Sequence, residues 1–168
     1  MLHSVNKPVP GHASISISSP VFEDKEAIPV KFTREGANIS PPLKIKCIPQ
    51  AAACLAIIMD ASEAPVNTFT HWLVWNIPVK HHINEHYISD LQGVNDLGTI
   101  SYTGPGEPRG LHHYHFRIFA LDRLLNLQPG ANRQELEAAM AGHILGSGVL
   151  TGYYKSKEAP QANLQGLR

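Results

Sequence analysis

At 168 residues, 43% of them hydrophobic, the chain is long enough for one domain with its own core and short for two. Fourteen basic side chains balance fourteen acidic ones, so broad electrostatic capture of nucleic acid or an acidic membrane is not expected. The opening "MLHSVNKPVPGHAS" has no cationic head followed by an apolar stretch, and no later apolar run approaches the roughly 20 residues of a membrane helix. The expectation is therefore a soluble, cytoplasmic protein without stable membrane insertion.

In chain order, "SISIS" (14–18) and "LKIKCI" (43–48) alternate polar and apolar residues as half-buried strands do. "CLAIIM" (54–59) and "HWLVWNI" (71–77) are denser, as in strands covered on both faces. Cys47 and Cys54 lie in strand-like apolar stretches, which suits reduced core thiols better than a disulfide framework or a zinc site. "LHHYHFRIFAL" (111–121) forms a third strand, with His112, Tyr114, Phe116, Ile118 and Ala120 on one face and His113, His115 and Arg117 on the other. Gly, Pro, Ser and Asn collect between these runs, where strands reverse. "NRQELEAAMAGHIL" places Leu136, Ala139, Met140, His143 and Ile144 on one helical stripe, with Asn132 and Glu135 as a capping pair and Gly146 as a stop. It predicts a helix of about three turns packed on a sheet, with His143 as a satisfied core residue. The chain thus reads as mostly β, with an N-terminal segment over 1–13, a domain over 14–155 and a loose tail over 156–168.

The period-two pattern puts His71 at the start of its strand, on the face of Leu73 and Trp75. His112 and Tyr114 open another buried strand, so the three polar aromatics can meet at one end of a sheet. Immediately before that strand, "YTGPGEPRG" holds three glycines and two prolines in nine residues. Such a loop can turn backbone N–H groups toward a ligand. Imidazoles, a phenol and free amides suit an anion such as phosphate or carboxylate; the alternative is a plain turn beside core aromatics. A metal site is disfavoured, because His113 and His115 face away from His112 in a strand, and "HHINEH" (81–86) is not in HExxH order. "GSG" (146–148) is not a nucleophile elbow, which leaves a hydrolase only as a spatial arrangement that spacing does not reveal.

"MDASEAP" followed by "FTHWLVWNIP", and then "GTISYTGPGEPRGLHHYHFRIFALD", resembles the two signature blocks of the phosphatidylethanolamine-binding proteins, which include the Raf kinase inhibitor proteins. "KFTREGANISPPL" and "AMAGHILGSGVLTGYYK" extend the resemblance, the latter toward the bacterial and archaeal branch, over about residues 14–155. The resemblance implies an antiparallel Greek-key β-sandwich with a packed C-terminal helix and a pocket for phosphate, acetate or a phospholipid head group such as phosphoethanolamine. It implies ligand-binding roles for His71, His112, Tyr114, Gly104, Gly106, Pro108, Glu63 and Pro65, with Ala64 and Pro65 at the site of a frequent cis peptide. No catalytic residue, metal or cofactor is implied, so a binding protein is expected, not an enzyme. Some relatives inhibit kinases or serine proteases through surface loops, and bacterial relatives are often dimers; a protein partner and a homodimer follow as expectations of the same kind.

The chain departs from the family pattern at several positions. Ala61 and Glu63 stand in place of two aspartates, Ser62 and Glu107 in place of prolines, and Ile45 in place of a tryptophan. Loss of the first aspartate lowers repulsion of an anion by about 1 kcal/mol at high effective dielectric. It also removes a partner that would keep a histidine protonated. Asp60 is adjacent, but in an extended strand it points to the opposite side. Anion affinity is then expected to rise between pH 8 and 6 as the histidines take up protons.

Overall fold

The computed structural model describes residues 12–64, 67–106 and 110–157, without the side chains of 63, 64 and 67. Glu63 is thus described in its backbone only, and Pro65, Glu107, Pro108 and nearly all of the expected terminal segments lie outside the described residues. Among the described residues the fold is mostly β with one α-helix. Its strands are β1 (Ala13–Ser14), β2 (Ser16–Ser18), β3 (Glu26–Ala27), β4 (Leu43–Lys46), β5 (Cys54–Ala64), β6 (Asn67–Ile77), β7 (His82–Ile83), β8 (Gly110–Leu121) and β9 (Ile144–Ser156), with helix α1 (Arg133–Met140) before the last. The larger sheet runs β1-β9-β8-β5-β6 with β3 also on β9; the smaller runs β2-β4-β7. The long strands pair antiparallel, while β1 and β3, two residues each, lie parallel to β9.

Side-chain alternation divides the larger sheet into two apolar faces. Leu55, Ile57 and Met59 of β5, Trp72 and Val74 of β6, and Phe116 and Ile118 of β8 pack against Ile17, Leu43, Ile45 and Ile83 of the smaller sheet. On the opposite face Ala56, Ile58, Leu73, Trp75 and Leu121 meet Leu136 and Met140 of α1. Both faces are covered, which is why β5 and the second half of β6 read as continuous apolar runs.

Four local expectations are corrected. Helix α1 has the predicted capping box, with Asn132 accepting from the Glu135 amide and Glu135 reaching back to the Asn132 amide, but it spans only eight residues. The chain turns at Ala141 and Gly142 because 144–156 pairs with β8 along nearly its whole length, which satisfies more backbone groups than another helical turn. Gly146, expected as a helix stop, therefore lies inside a strand. His143 falls beyond the helix and is no core residue; it pairs with Asp122 at 2.9 Å, with about a third of its side chain exposed. Cys54 is buried, but Cys47 is exposed at a positive φ of 62° where β4 has ended.

An ion cluster ties α1 to the sheet. Asp60, fully buried, receives the Arg117 Nε at 2.9 Å from β8 and the Arg133 Nη1 at 2.8 Å from the first turn of α1. Removing one partner of a buried pair leaves uncompensated charge. Asp60→Ala is expected to lower the free energy of unfolding by about 3–5 kcal/mol in urea denaturation, whereas Leu124→Ala, at an exposed position, should change it by no more than about 0.5 kcal/mol. A loss below about 1 kcal/mol at Asp60 would contradict this role.

Candidate functional site

Between Met59 and Asp60, strand β6 carries one residue more than β5 pairs. Trp72 lies opposite Met59 and Thr70 opposite Asp60, which leaves His71 as a bulge. The strict alternation that put His71 on the face of Leu73 and Trp75 is broken there. Its ring instead meets Phe69 at 5.0 Å and, edge-on, Tyr114 at 5.2 Å, on the side of Trp72 and the inter-sheet core. His71 is only 1% exposed.

One ring atom of His71 is fixed by the chain. Its Nδ1 lies 2.7 Å from the carbonyl oxygen of Thr103. A carbonyl can only accept, so Nδ1 carries the proton and Nε2 the lone pair. Burial pushes the pKa down to about 4, and the nearby Arg34 charge pushes the same way. The bond to Thr103 and the negative charges of Asp60 and Asp96 oppose this without overcoming it. His71 is therefore neutral throughout pH 6–8 and does not supply the protonation-driven rise in anion affinity that the sequence suggested.

The Thr103 carbonyl is held by the segment that covers the outer edge of β6. Gly93, Asp96 and Thr103 donate their amides to the carbonyls of Leu73, Thr70 and His71, at 3.0, 3.0 and 3.3 Å. Asn95, 4% exposed, organises that segment. Its Oδ1 accepts from the amides of Leu97 and Thr99, and its Nδ2 lies within 2.8–3.3 Å of the His71 and Ser101 carbonyls and the Thr99 and Thr103 hydroxyls. Asn95 was not singled out in the sequence; the turn-forming "NDLG" is the signal that marks it.

Beside His71 lies Tyr114 of β8, and the turns at 32–38 and 103–106 pack against each other. Tyr114 is buried; His112, two residues earlier on the same face, is half-buried opposite Tyr154. A side chain at Gly104 would begin 2.2 Å from the Phe32 carbonyl, and one at Gly106 2.5 Å from Arg34 Nε, so both glycines allow these turns to touch. The Gly104 amide donates to Asn38 Oδ1 at 2.8 Å and is not an open donor, contrary to the expectation for this loop. Arg34 is half-buried against Gly106, with its amide on the Pro105 carbonyl at 2.8 Å. Its positive charge is near enough to disfavour protonation of His71, which no sequence spacing disclosed. The glycine segment therefore contributes close packing and Arg34 the charge.

A separate cavity of about 270 Å³ lies behind this segment, bordered by Asn38, Ser40, Gln92 and Tyr102. All four side chains already have protein partners: Asn38 on Gly104, Ser40 on the Tyr87 amide, Gln92 on Trp72, and Tyr102 on the Phe32 carbonyl. Among the described residues no three His, Cys, Asp or Glu side chains gather as a metal site. His82 lies in β7 and His86 in a turn at a φ of 56°, so their spacing is not that of one helical face.

Two packed sheets and, among the described residues, one capped α-helix define a fold with known members. A UPF0098 protein of Pyrococcus abyssi is 48% identical over 158 residues, 88% of each chain, and one of Methanothermobacter thermautotrophicus is 40% identical over 149 residues, 84% of this chain and 99% of its own. The crystal structure of a putative phosphatidylethanolamine-binding protein homologue from Chlamydia trachomatis superposes with a TM-score of 0.80 at 32% identity, over 86% of this chain and 99% of that one. Escherichia coli YbcL, described as a member of the mammalian PEBP family, shares the fold with a TM-score of 0.77 at 21% identity, over 86% of this chain and all of that one. The phosphatidylethanolamine-binding protein profile matches residues 18–155. The chain belongs to the phosphatidylethanolamine-binding protein family.

Stability should carry the signature of the buried neutral imidazole. In the unfolded chain His71 titrates near 6.5 and in the folded chain near 4, so the unfolded state binds more protons between these values. The contribution is intact above pH 6.5 and is lost as the pH falls toward 4, by up to about 3 kcal/mol. Urea denaturation at pH 7, 5.5 and 4.5 should show wild type losing stability more steeply than His71→Asn; parallel profiles would contradict the assignment.

Proposed function

We propose that the chain is a non-enzymatic binding protein whose His71, Tyr114, His112 and Arg34 pocket accepts a small anion, phosphate or a phosphate-bearing head group. The observation that carries this reading is Arg34 beside a buried, hydrogen-bond-oriented His71. A guanidinium favours phosphate or carboxylate oxygens. Tyr114 brings a phenol to the same face. Binding is favoured over hydrolysis because an imidazole with a pKa of about 4 is a weak general base at neutral pH.

A thermal-shift titration with phosphate, acetate and phosphoethanolamine tests the reading. A ligand at a hundred times its Kd stabilises the native state by about 2.7 kcal/mol, so the melting temperature of wild type should rise. The rise should be largely lost in Arg34→Gln and His112→Ala. Absence of any rise would overturn the reading and turn attention to surface loops acting on a kinase or a protease.

A further inference from the structure

The atom that His71 leaves for a ligand is an acceptor, and this restricts what can bind. Nδ1 donates to the Thr103 carbonyl at 2.7 Å, and that carbonyl belongs to a segment stitched to β6 by the Thr103 and Asp96 amides and by Asn95. Turning the ring over would set carbon against the carbonyl, and Phe69 and Tyr114 pack against the ring. No hydrogen bond to Nε2 is formed among the described residues. The charged groups acting on the ring are Arg34 from the turn after Phe32, Asp60 from β5 and Asp96 from the covering segment. Asp60 is bound to Arg117 and Arg133, and Asp96 Oδ2 accepts from the Thr70 amide at 2.7 Å, so each carboxylate is engaged away from Nε2. His112 lies nearby on β8, two residues before Tyr114.

A bare lone pair repels an anionic oxygen, whereas Arg34 attracts one. A ligand that satisfies both must be an anion that still carries an acidic hydroxyl. We infer that the pocket selects a singly protonated phosphate, either hydrogen phosphate or a phosphate monoester, whose P–OH donates to His71 Nε2 while its anionic oxygens face Arg34. Phosphate diesters and sulfate carry the charge without the hydroxyl and are discriminated against. The inference rests on the anion-pocket reading above and specifies its ligand.

Methyl phosphate, dimethyl phosphate and sulfate separate the possibilities, because methyl phosphate alone can carry an acidic hydroxyl and none of the three has another donor. Calorimetric titration of the full chain at pH 5.5 should show methyl phosphate binding at least about tenfold tighter than either competitor, the cost of facing a buried acceptor with another acceptor. If only the monoanion binds and its second pKa is about 6, methyl phosphate affinity should fall about 25-fold between pH 5.5 and 7.5. Sulfate affinity should stay level over that range. His71→Asn keeps a side-chain N–H for the Thr103 carbonyl and removes Nε2, so it should bind methyl phosphate and sulfate alike; the wild-type comparison stands by itself if this variant fails to fold. Equal wild-type affinity for all three anions, or a parallel pH dependence for sulfate that points to protonation of a protein group such as His112, would overturn the inference and leave the anion pocket standing. Binding of none of them would overturn both.

Discussion

Between Met59 and Asp60, β6 supplies one residue more than its partner strand pairs, and that residue is His71. A bulge reverses which face each side chain takes from that point on. Leu73 and Trp75 keep to the helix side, Trp72 and Val74 to the inter-sheet core, and beyond the bulge Phe69 returns to the inter-sheet side. The imidazole is thereby set against Phe69 and Tyr114 with its Nδ1 on the Thr103 carbonyl. Without the extra residue it would sit on the face of Asp60 and Arg117, away from the rings of Phe69 and Tyr114.

The neighbouring aspartate shows the complementary effect. Strand β5 continues without a bulge of its own at Asp60, so the carboxylate stays on the helix side, where Arg117 and Arg133 hold it. The two faces of the sheet thus divide the charges between them. A carboxylate neutralised by two arginines braces α1 on one face, and a neutral histidine near Arg34 stands on the other. Ala61, next along β5, faces the inter-sheet side and brings no carboxylate to His71, and burial dominates the histidine's protonation.

How much of this could be read in the sequence depended on the range of the interactions. Strands β5, β6 and β8 were legible because buried strands need apolar residues at short period, and the capping box of α1 because Asn132 and Glu135 act across three residues. Strand β9 was missed: its glycines weaken the strand signal, and the apolar spacing of α1 runs on through His143 and Ile144. His71 and Tyr114 were identified as neighbours, while the face of His71 was misassigned, since a bulge depends on the register with a partner strand. Arg34 and Asn95 act on His71 from segments 37 and 24 residues away; "NDLG" marks Asn95 as a turn residue without pointing to His71, and nothing in the sequence around Arg34 points there. The protonation state was equally out of reach, because it follows from burial and from one carbonyl.

His71 stands between Phe69 and Tyr114 as a neutral imidazole, with its proton on Nδ1 and Nε2 left as an acceptor. Nitrogen-15 NMR of the histidine-labelled protein, followed from pH 8 to pH 5, tests it directly, because a ring nitrogen bearing a proton and one bearing a lone pair have well-separated shifts. The His71 signal should show Nδ1 protonated and Nε2 bare and stay unchanged across this range. A proton on Nε2 at pH 7, or a His71 titration centred near the ordinary value of about 6.5, would contradict it.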